Sequence, residues 1–327
     1  MWKKSADILK KRLTEATHIA INLHRNPDPD SIGTARAFFE VLTNWGKKIT
    51  IVTPTPVEKK LEFLLSSSMN IQPYSVSLFH DVDLFLILDA SSWEMVTGDL
   101  LIKQPSVPFV AIDHHATHLL SKQEGSIVDP EATATGEIAY RIFSYWKEKI
   151  TPSIATALFS SIAGDTGFFH YARNPVVTFQ ICHDLLAQGA DINLYIEHQF
   201  MKYTSSFLKA MGSYLLALEI NTTYKYSFII MTYSDYKKFE VQAGVRETIA
   251  DQYICSISDV EFGFVASEVK PGEVMVSFRS KGKVDVSKIA LVLGGGGHHD
   301  SSGCLLKGEV SQIIEKIHLT IQKELIK

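Results

Sequence analysis

The feature that most narrows the fold is the repeated exchange of short, continuously apolar runs with amphipathic helical stretches over roughly the first 200 residues. Residues 17–23 and 48–52 read as strands, and an amphipathic helix from Ser31 to Trp45 lies between them. Further strands are expected at 83–88 and 108–112, and helices at 134–149, 152–163, 176–188 and 192–201. Strand–helix–strand units join parallel strands, and strands covered on both faces lose the polar alternation of a one-sided sheet. The reading is an α/β fold with an N-terminal, mainly parallel sheet flanked by helices. A helical stretch at 205–218 then leads into a different pattern: β-rich runs at 226–232, 261–267 and 274–279, followed by helices at 286–293 and 310–324. This predicts a smaller C-terminal α+β domain. The expected divisions are 1–204, a helical linker at 205–219, and 220–327, with the active site in the interdomain cleft. There is no internal repeat, and the only low-complexity segment is the glycine run 294–297.

Composition limits the function. A chain of 327 residues that is 46% hydrophobic has enough apolar material for two cores and does not read as disordered. No apolar run approaches the ~18 residues of a membrane helix. Residues 1–15 mix Lys3, Lys4, Asp7 and Glu15 at helical spacing, unlike a signal peptide. Cys182, Cys255 and Cys304 are too far apart in sequence for a metal motif and too few for a disulfide framework, so a reducing cytoplasm is the expected compartment. A net charge of -4 and a pI near 6.3 argue against a broad basic face that grips long nucleic acid. Phosphates would have to be held locally.

Potential metal ligands fall at the carboxyl ends of the expected strands, the edge where open α/β sheets bind ligands. His24, Asp28 and Asp30 follow the first strand in a segment where Pro27 and Pro29 favour extended neighbours, so these side chains can fan around one point. Taken alone, that segment also reads as an ordinary turn with Asp30 or Ser31 as helix N-cap. Asp89 ends another strand, Asp113, His114 and His115 end the next, and Asp165 lies in a Gly-Asp-Thr-Gly segment at 164–167. If Asp28, Asp30, Asp89 and Asp165 converge, their mutual repulsion demands positive charge, which two divalent cations would supply. Oxygen-rich ligation with some imidazole suits Mn²⁺ or Mg²⁺ better than structural zinc, and two Mn²⁺ are expected.

Assembled in order, these segments resemble the DHH phosphoesterase superfamily with its DHH-associated C-terminal domain. The motif residues are His24, Pro27, Asp28, Asp30 and Gly33, then Asp89, then Asp113 to His115, then Gly164 to Gly167, then the glycine run with His298, Ser301, Ser302 and Gly303. Within the superfamily the chain is most similar to the bacterial oligoribonucleases, or nanoRNases, that also act as 3'-phosphoadenosine 5'-phosphate phosphatases. The resemblance implies that His24 and Asp28 bind one metal, that Asp30, His114 and Asp165 bind the other, and that Asp89 bridges them. It further implies that His115 contacts the scissile phosphate or assists proton transfer, and that Asp113 orients a histidine from behind.

The resemblance places substrate binding in the second domain, on Arg279, Ser280, Gly295, Gly296, Gly297 and His298. Glycine amides approach an anion without Cβ interference, and an arginine forks onto phosphate. Without the resemblance, these residues read as a flexible turn and a surface ion pair. The chain departs from the family pattern at Ser301 and Ser302, where alanines are usual, and at Phe168, where a polar residue is common. Phe168, Phe169 and Tyr171 read either as a stacking surface for a base or as core. The expected substrates are short RNA oligonucleotides or small nucleotides, with no long nucleic acid and no membrane partner, and the resemblance allows a homodimer. The alternatives are hydrolysis of linear dinucleotides from cyclic-dinucleotide signalling and a non-catalytic nucleotide sensor.

Overall fold

The computed structural model describes residues 2–99, 101–102, 104–115, 120, 123–170, 172–239, 241, 244–297 and 299–326. It divides into two compact units, residues 1–202 and 203–327.

In the first unit the elements are α1 (Trp2–Glu15), β1 (His18–Asn22), α2 (Pro29–Asn44), β2 (Lys48–Thr53), β3 (Ile71–Pro73), β4 (Leu84–Leu88), α3 (Trp93–Thr97), β5 (Phe109–Asp113), β6 (Ile127–Val128), α4 (Thr135–Trp146), α5 (Pro152–Asp165), α6 (Pro175–Ala187) and α7 (Ile192–Phe200). The six strands lie in the order β3-β2-β1-β4-β5-β6, and every pairing is parallel. The expected α/β class is therefore the observed one. Alternate residues of the central strands serve two cores. Ile19, Ile21, Leu84, Leu86, Leu88, Val110 and Ile112 pack with Leu9, Leu13, Phe38, Leu42, Phe143, Leu158 and Phe159 from the helices. The intervening Ala20, Phe85, Ile87 and Ala111 pack with Val96 and Phe79 on the other face. Both faces of the strands are covered, which is why β4 is apolar throughout and β1 and β5 are apolar between their ends.

The strand order reverses between β1 and β4, and a doubly wound sheet leaves a crevice at the carboxyl ends of the strands at that point. Asp28 forms the N-cap of α2 in an extended conformation (φ −107°), its side chain accepting from the Ser31 amide, with Pro29 in the first turn. This corrects the expected cap. Asp30 and Ser31 lie inside the helix, because the proline's fixed φ starts the helix early.

The second unit contains α8 (Ser205–Leu216), β7 (Leu218–Asn221), β8 (Tyr226–Met231), α9 (Tyr233–Lys238), α10 (Val245–Gln252), β9 (Phe262–Lys270), β10 (Glu273–Ser280), α11 (Val286–Val292), β11 (Gly296–Gly297), β12 (Ser301–Lys307) and α12 (Val310–Ile326). Its strands run β11-β12-β10-β9-β8-β7, and only the β8–β9 pairing is parallel. Helices α11 and α12 bury Val286, Ile289, Ile313, Ile317 and Ile321 against Phe262, Phe264, Val276 and Phe278. Phe207, Ala210, Met211 and Tyr214 of α8 pack with Ile229, Met231, Val265 and Ile249, so residues 205–216 belong to this unit's core. No helix among the described residues is long and apolar enough to cross a membrane.

Candidate metal centre

Each ligand candidate in the first unit reaches the switch point from a different element. His24 follows β1, and its Nδ1 meets the Arg25 carbonyl at 2.9 Å, which places a proton on Nδ1 and turns Nε2 toward the acidic cluster. That Nε2 lies 3.5 Å from Asp28 Oδ1 and 3.4 Å from Asp89 Oδ2. On the other side, His114 Nε2 lies 3.6 Å from Asp89 Oδ1, 3.3 Å from Asp165 Oδ2 and 3.9 Å from Asp30 Oδ2. Asp89 thus turns one carboxylate oxygen to each histidine. It adopts a left-handed φ of 52° just past β4, a conformation that Asp tolerates better than most residues. Asp165 is the last residue of α5.

His115 Nδ1 meets Asp113 Oδ1 at 2.6 Å, and the same oxygen accepts from the amides of His114 and His115. Asp113 therefore fixes the turn that carries both histidines. Asp30 is held by neutral donors: Ser161 Oγ at 2.6 Å, Thr34 Oγ1 at 3.0 Å, and the amides of Thr135 and Gly136 at 2.7 and 3.1 Å. Thr135 Oγ1 also donates to Asp89 Oδ1 at 3.1 Å. Thr135, Gly136 and Ser161 are small neutral residues that carry no chemical signature in the sequence.

The electrostatics are those of a cluster with surplus negative charge. Burial, followed by the charges of Asp89 and Asp28, raises the Asp30 carboxyl well above its usual range. Asp165 is raised by burial and then by Asp30, Asp89 and Asp28. Asp89 is lowered: burial opposes ionisation, but His24, His114 and His115 outweigh it. Burial would lower His24, yet Asp28 and Asp89 raise it, whereas His114 is lowered by burial and by the neighbouring His115 and Arg173. His115 rises to about 9 because its bond to Asp113, with the charge of Asp89, overcomes the burial that would lower it.

Three sets of donor atoms each lie within 4.8 Å of one another: His24, Asp28 and Asp89; Asp30, His114 and Asp165; Asp89, His114 and His115. Carboxylates that repel one another, with imidazole nitrogens lying among them, form a donor set that suits divalent cations.

The candidates in the second unit are placed differently. Arg279 is engaged by Asp251, with Nε and Nη2 both 2.6 Å from Oδ1, and its Nη1 donates to the Phe278 carbonyl at 2.8 Å. Ser280 Oγ accepts from the amides of Gly282 and Val284. A Cβ at Gly295 would meet the Gly303 carbonyl at 2.1 Å, and one at Gly297 (φ 138°) would meet the Ser301 carbonyl at 2.6 Å. These two glycines are therefore required by the approach of β12, whereas nothing lies within 4 Å of a Cβ at Gly296. Ser302, one of the departures, donates to the Val286 carbonyl at 2.8 Å. His298 and Tyr171 lie outside the described residues. Phe168 stacks on Tyr195 and meets Phe200 edge-on, while Phe169 stacks on Phe179 and packs on Phe159, so both rings serve the unit's own packing.

A doubly wound parallel sheet with an acid–imidazole cluster at its switch point defines an α/β unit with a candidate metal centre, followed in the chain by a mixed-sheet domain. Residues 18–162 match the DHH family, N-terminal domain, and residues 221–323 match the DHHA1 domain; the chain belongs to the DHH phosphoesterase family. It is 28% identical over 334 residues to the bifunctional oligoribonuclease and PAP phosphatase NrnA of Thermus thermophilus, covering 99% of this chain and 95% of that one. It is 27% identical over 331 residues to the cyclic-di-AMP phosphodiesterase GdpP of Bacillus subtilis, covering 96% of this chain and 49% of that protein. A crystal structure of an exopolyphosphatase-related protein from Bacteroides fragilis shares the fold, with a TM-score of 0.90 at 23% identity over 98% of this chain and 96% of that one.

Proposed function

We propose that this chain is a dimetal-dependent phosphoesterase that hydrolyses short RNA oligonucleotides to mononucleotides and 3'-phosphoadenosine 5'-phosphate to AMP. The observation that carries this reading is Asp89 directing Oδ2 to His24 and Oδ1 to His114, a carboxylate placed to be shared by two cations. His24 and Asp28 would hold one ion, Asp30, His114 and Asp165 the other, with Mn²⁺ the expected metal and Mg²⁺ able to substitute. Ions held there would supply, at neutral pH, an activated water for in-line attack on phosphorus. Asp113 fixes the His115 ring so that it can contact the scissile phosphate or pass a proton. In the second unit, Arg279 and the open Gly296 position would grip substrate phosphate once Arg279 exchanges Asp251 for that anion.

The near full-length similarity to an oligoribonuclease and PAP phosphatase supports these substrates. The net charge of -4 favours short substrates over long nucleic acid, and the free cysteines fit a reducing cytoplasm. A second reading, hydrolysis of linear dinucleotides derived from cyclic-dinucleotide signalling, is supported by similarity to a cyclic-di-AMP phosphodiesterase about twice as long. The test is a manganese-dependent panel of a dinucleotide, a long oligonucleotide, 3'-phosphoadenosine 5'-phosphate and pyrophosphate. Rapid release from the dinucleotide and from 3'-phosphoadenosine 5'-phosphate is expected. Phosphate release from pyrophosphate that exceeds nucleotide release from the dinucleotide would overturn the reading.

A further inference from the structure

Arg173 stands beside the ligand cluster without neutralising it. Its Nη1 donates to the Pro130 carbonyl at 2.6 Å and to the His114 carbonyl at 3.2 Å, and its own amide donates to Thr133 Oγ1 at 3.2 Å. The next residue, Asn174, caps α6 with Pro175 in the first turn, so the backbone after Arg173 is also fixed. Thr133 is anchored in turn by Thr178 Oγ1 at 2.9 Å. The guanidinium is close enough for its charge to act on His114 and Asp165. Among the described residues, however, no carboxylate oxygen lies within the 4.0 Å of an ion pair with it.

A guanidinium has five N–H donors in a planar fork. Here the carbonyl bonds occupy Nη1, while Nε and Nη2 have no partner among the described residues. A cation present only to offset the acidic cluster would close onto one of its accessible carboxylates, such as Asp165, with 29% of its side chain exposed. Arg173 is instead pinned by two carbonyls, and its remaining donors have no partner among the described residues. Next to a metal site such a charge repels the ions, and that cost is recovered only when an anion enters between them.

We infer that Arg173 is a catalytic residue whose free Nε and Nη2 donors hold a non-bridging oxygen of the phosphate under attack. The inference rests on the phosphoesterase reading and adds a protein-borne cation on the His114 side of the site. Negative charge accumulates on the non-bridging oxygens as phosphorus is attacked, and fixed donors aimed at them act on the transition state more than on the ground state.

The experiment compares wild type, Arg173→Lys and Arg173→Gln as full chains. It uses calorimetric titration with Mn²⁺, titration of the Mn²⁺-loaded protein with inorganic phosphate, and kinetics on a dinucleotide with and without a 5'-phosphate. Arg173→Gln is expected to bind Mn²⁺ as tightly as wild type or more tightly, to bind phosphate about 10-fold more weakly, and to lose about 100-fold in kcat. The loss should be equal for both dinucleotides, and Arg173→Lys should fall between. Weakened Mn²⁺ binding with phosphate binding unchanged would overturn the inference and make Arg173 a clamp on the His114 loop. A loss confined to the 5'-phosphorylated dinucleotide would overturn it in favour of a neighbouring phosphate. If wild type cleaves neither dinucleotide, the phosphoesterase reading fails, while the phosphate titration still decides whether Arg173 binds phosphate.

Discussion

Ser161, on α5, donates a 2.6 Å hydrogen bond to Oδ1 of Asp30, on α2, and Gly136, on α4, approaches Ser161 closely enough to leave no room for extra atoms. A Cβ added at Gly136 would lie 1.9 Å from Ser161 Oγ and 2.7 Å from its Cβ. Gly136→Ala must therefore push Ser161 away from Asp30. The expected cost is about 1–3 kcal/mol in urea unfolding, the range for overpacked interiors, together with weaker Mn²⁺ binding in calorimetry. Gly212, inside α8, is a control, since nothing outside its own helix backbone lies within 4 Å of its added Cβ. Gly212→Ala should stabilise by up to about 1 kcal/mol through helix propensity alone.

Asp89→Asn separates the bridging charge from the fold. Asparagine tolerates the left-handed φ of 52° and keeps an acceptor for the 3.1 Å bond from Thr135 Oγ1, so the variant should fold. What it loses is the shared anionic ligand. Wild type should gain thermal stability as Mn²⁺ is added, by about 2.7 kcal/mol per site at a hundredfold excess over Kd. Asp89→Asn should lose more than ~100-fold in metal affinity and show no detectable turnover. Wild-type turnover by this variant would remove Asp89 from the centre of the site.

Legibility in the sequence followed burial. The runs that became β1, β2, β4 and β5 are largely buried and stand out as short stretches rich in Ile, Leu, Val and Phe. The edge strands β3 and β6 span only Ile71–Pro73 and Ile127–Val128, too short for any period, and β12 reads as a polar, glycine-containing tail. Helix α10 begins at Gly244 in a left-handed conformation without a side-chain cap, so its start carries no sequence signal. The acidic and imidazole members of the site could be located because a parallel sheet places strand ends together. The donors that hold Asp30 could not, and neither could Asp251 capturing Arg279 from 28 positions away.

Asp83 supplies a pH dependence remote from the site. Its Oδ2 accepts from the amides of His18 at 2.9 Å and Thr17 at 2.8 Å, and these bonds hold the carboxyl below its usual range. Because the folded-state value is lower than the unfolded one, the stabilisation is present above about pH 4 and is lost as pH falls through the folded value. Asp83→Asn, which cannot titrate, should be less stable than wild type at neutral pH. The difference should close on acidification below about pH 4, as read from urea midpoints across the range. A gap that stays constant with pH would show that the lost stability does not come from ionisation.

The pair formed by Arg279 and Asp251 makes the last prediction a competition. Arg279 keeps 21% of its side-chain surface and Asp251 keeps 53%, so the ion pair is partly solvated and worth about 1 kcal/mol or less. If Arg279 is to grip substrate phosphate, it must first release Asp251, and that release is charged against binding. Asp251→Asn should then lower the apparent KM for a dinucleotide by up to about 5-fold, with kcat little changed. Arg279→Ala should raise the KM, and the double variant should match Arg279→Ala, because Asp251 matters only through the arginine it holds. An unchanged KM in Asp251→Asn together with an unchanged KM in Arg279→Ala would assign the pair to the packing of α10 against β10, leaving the phosphate grip to other residues.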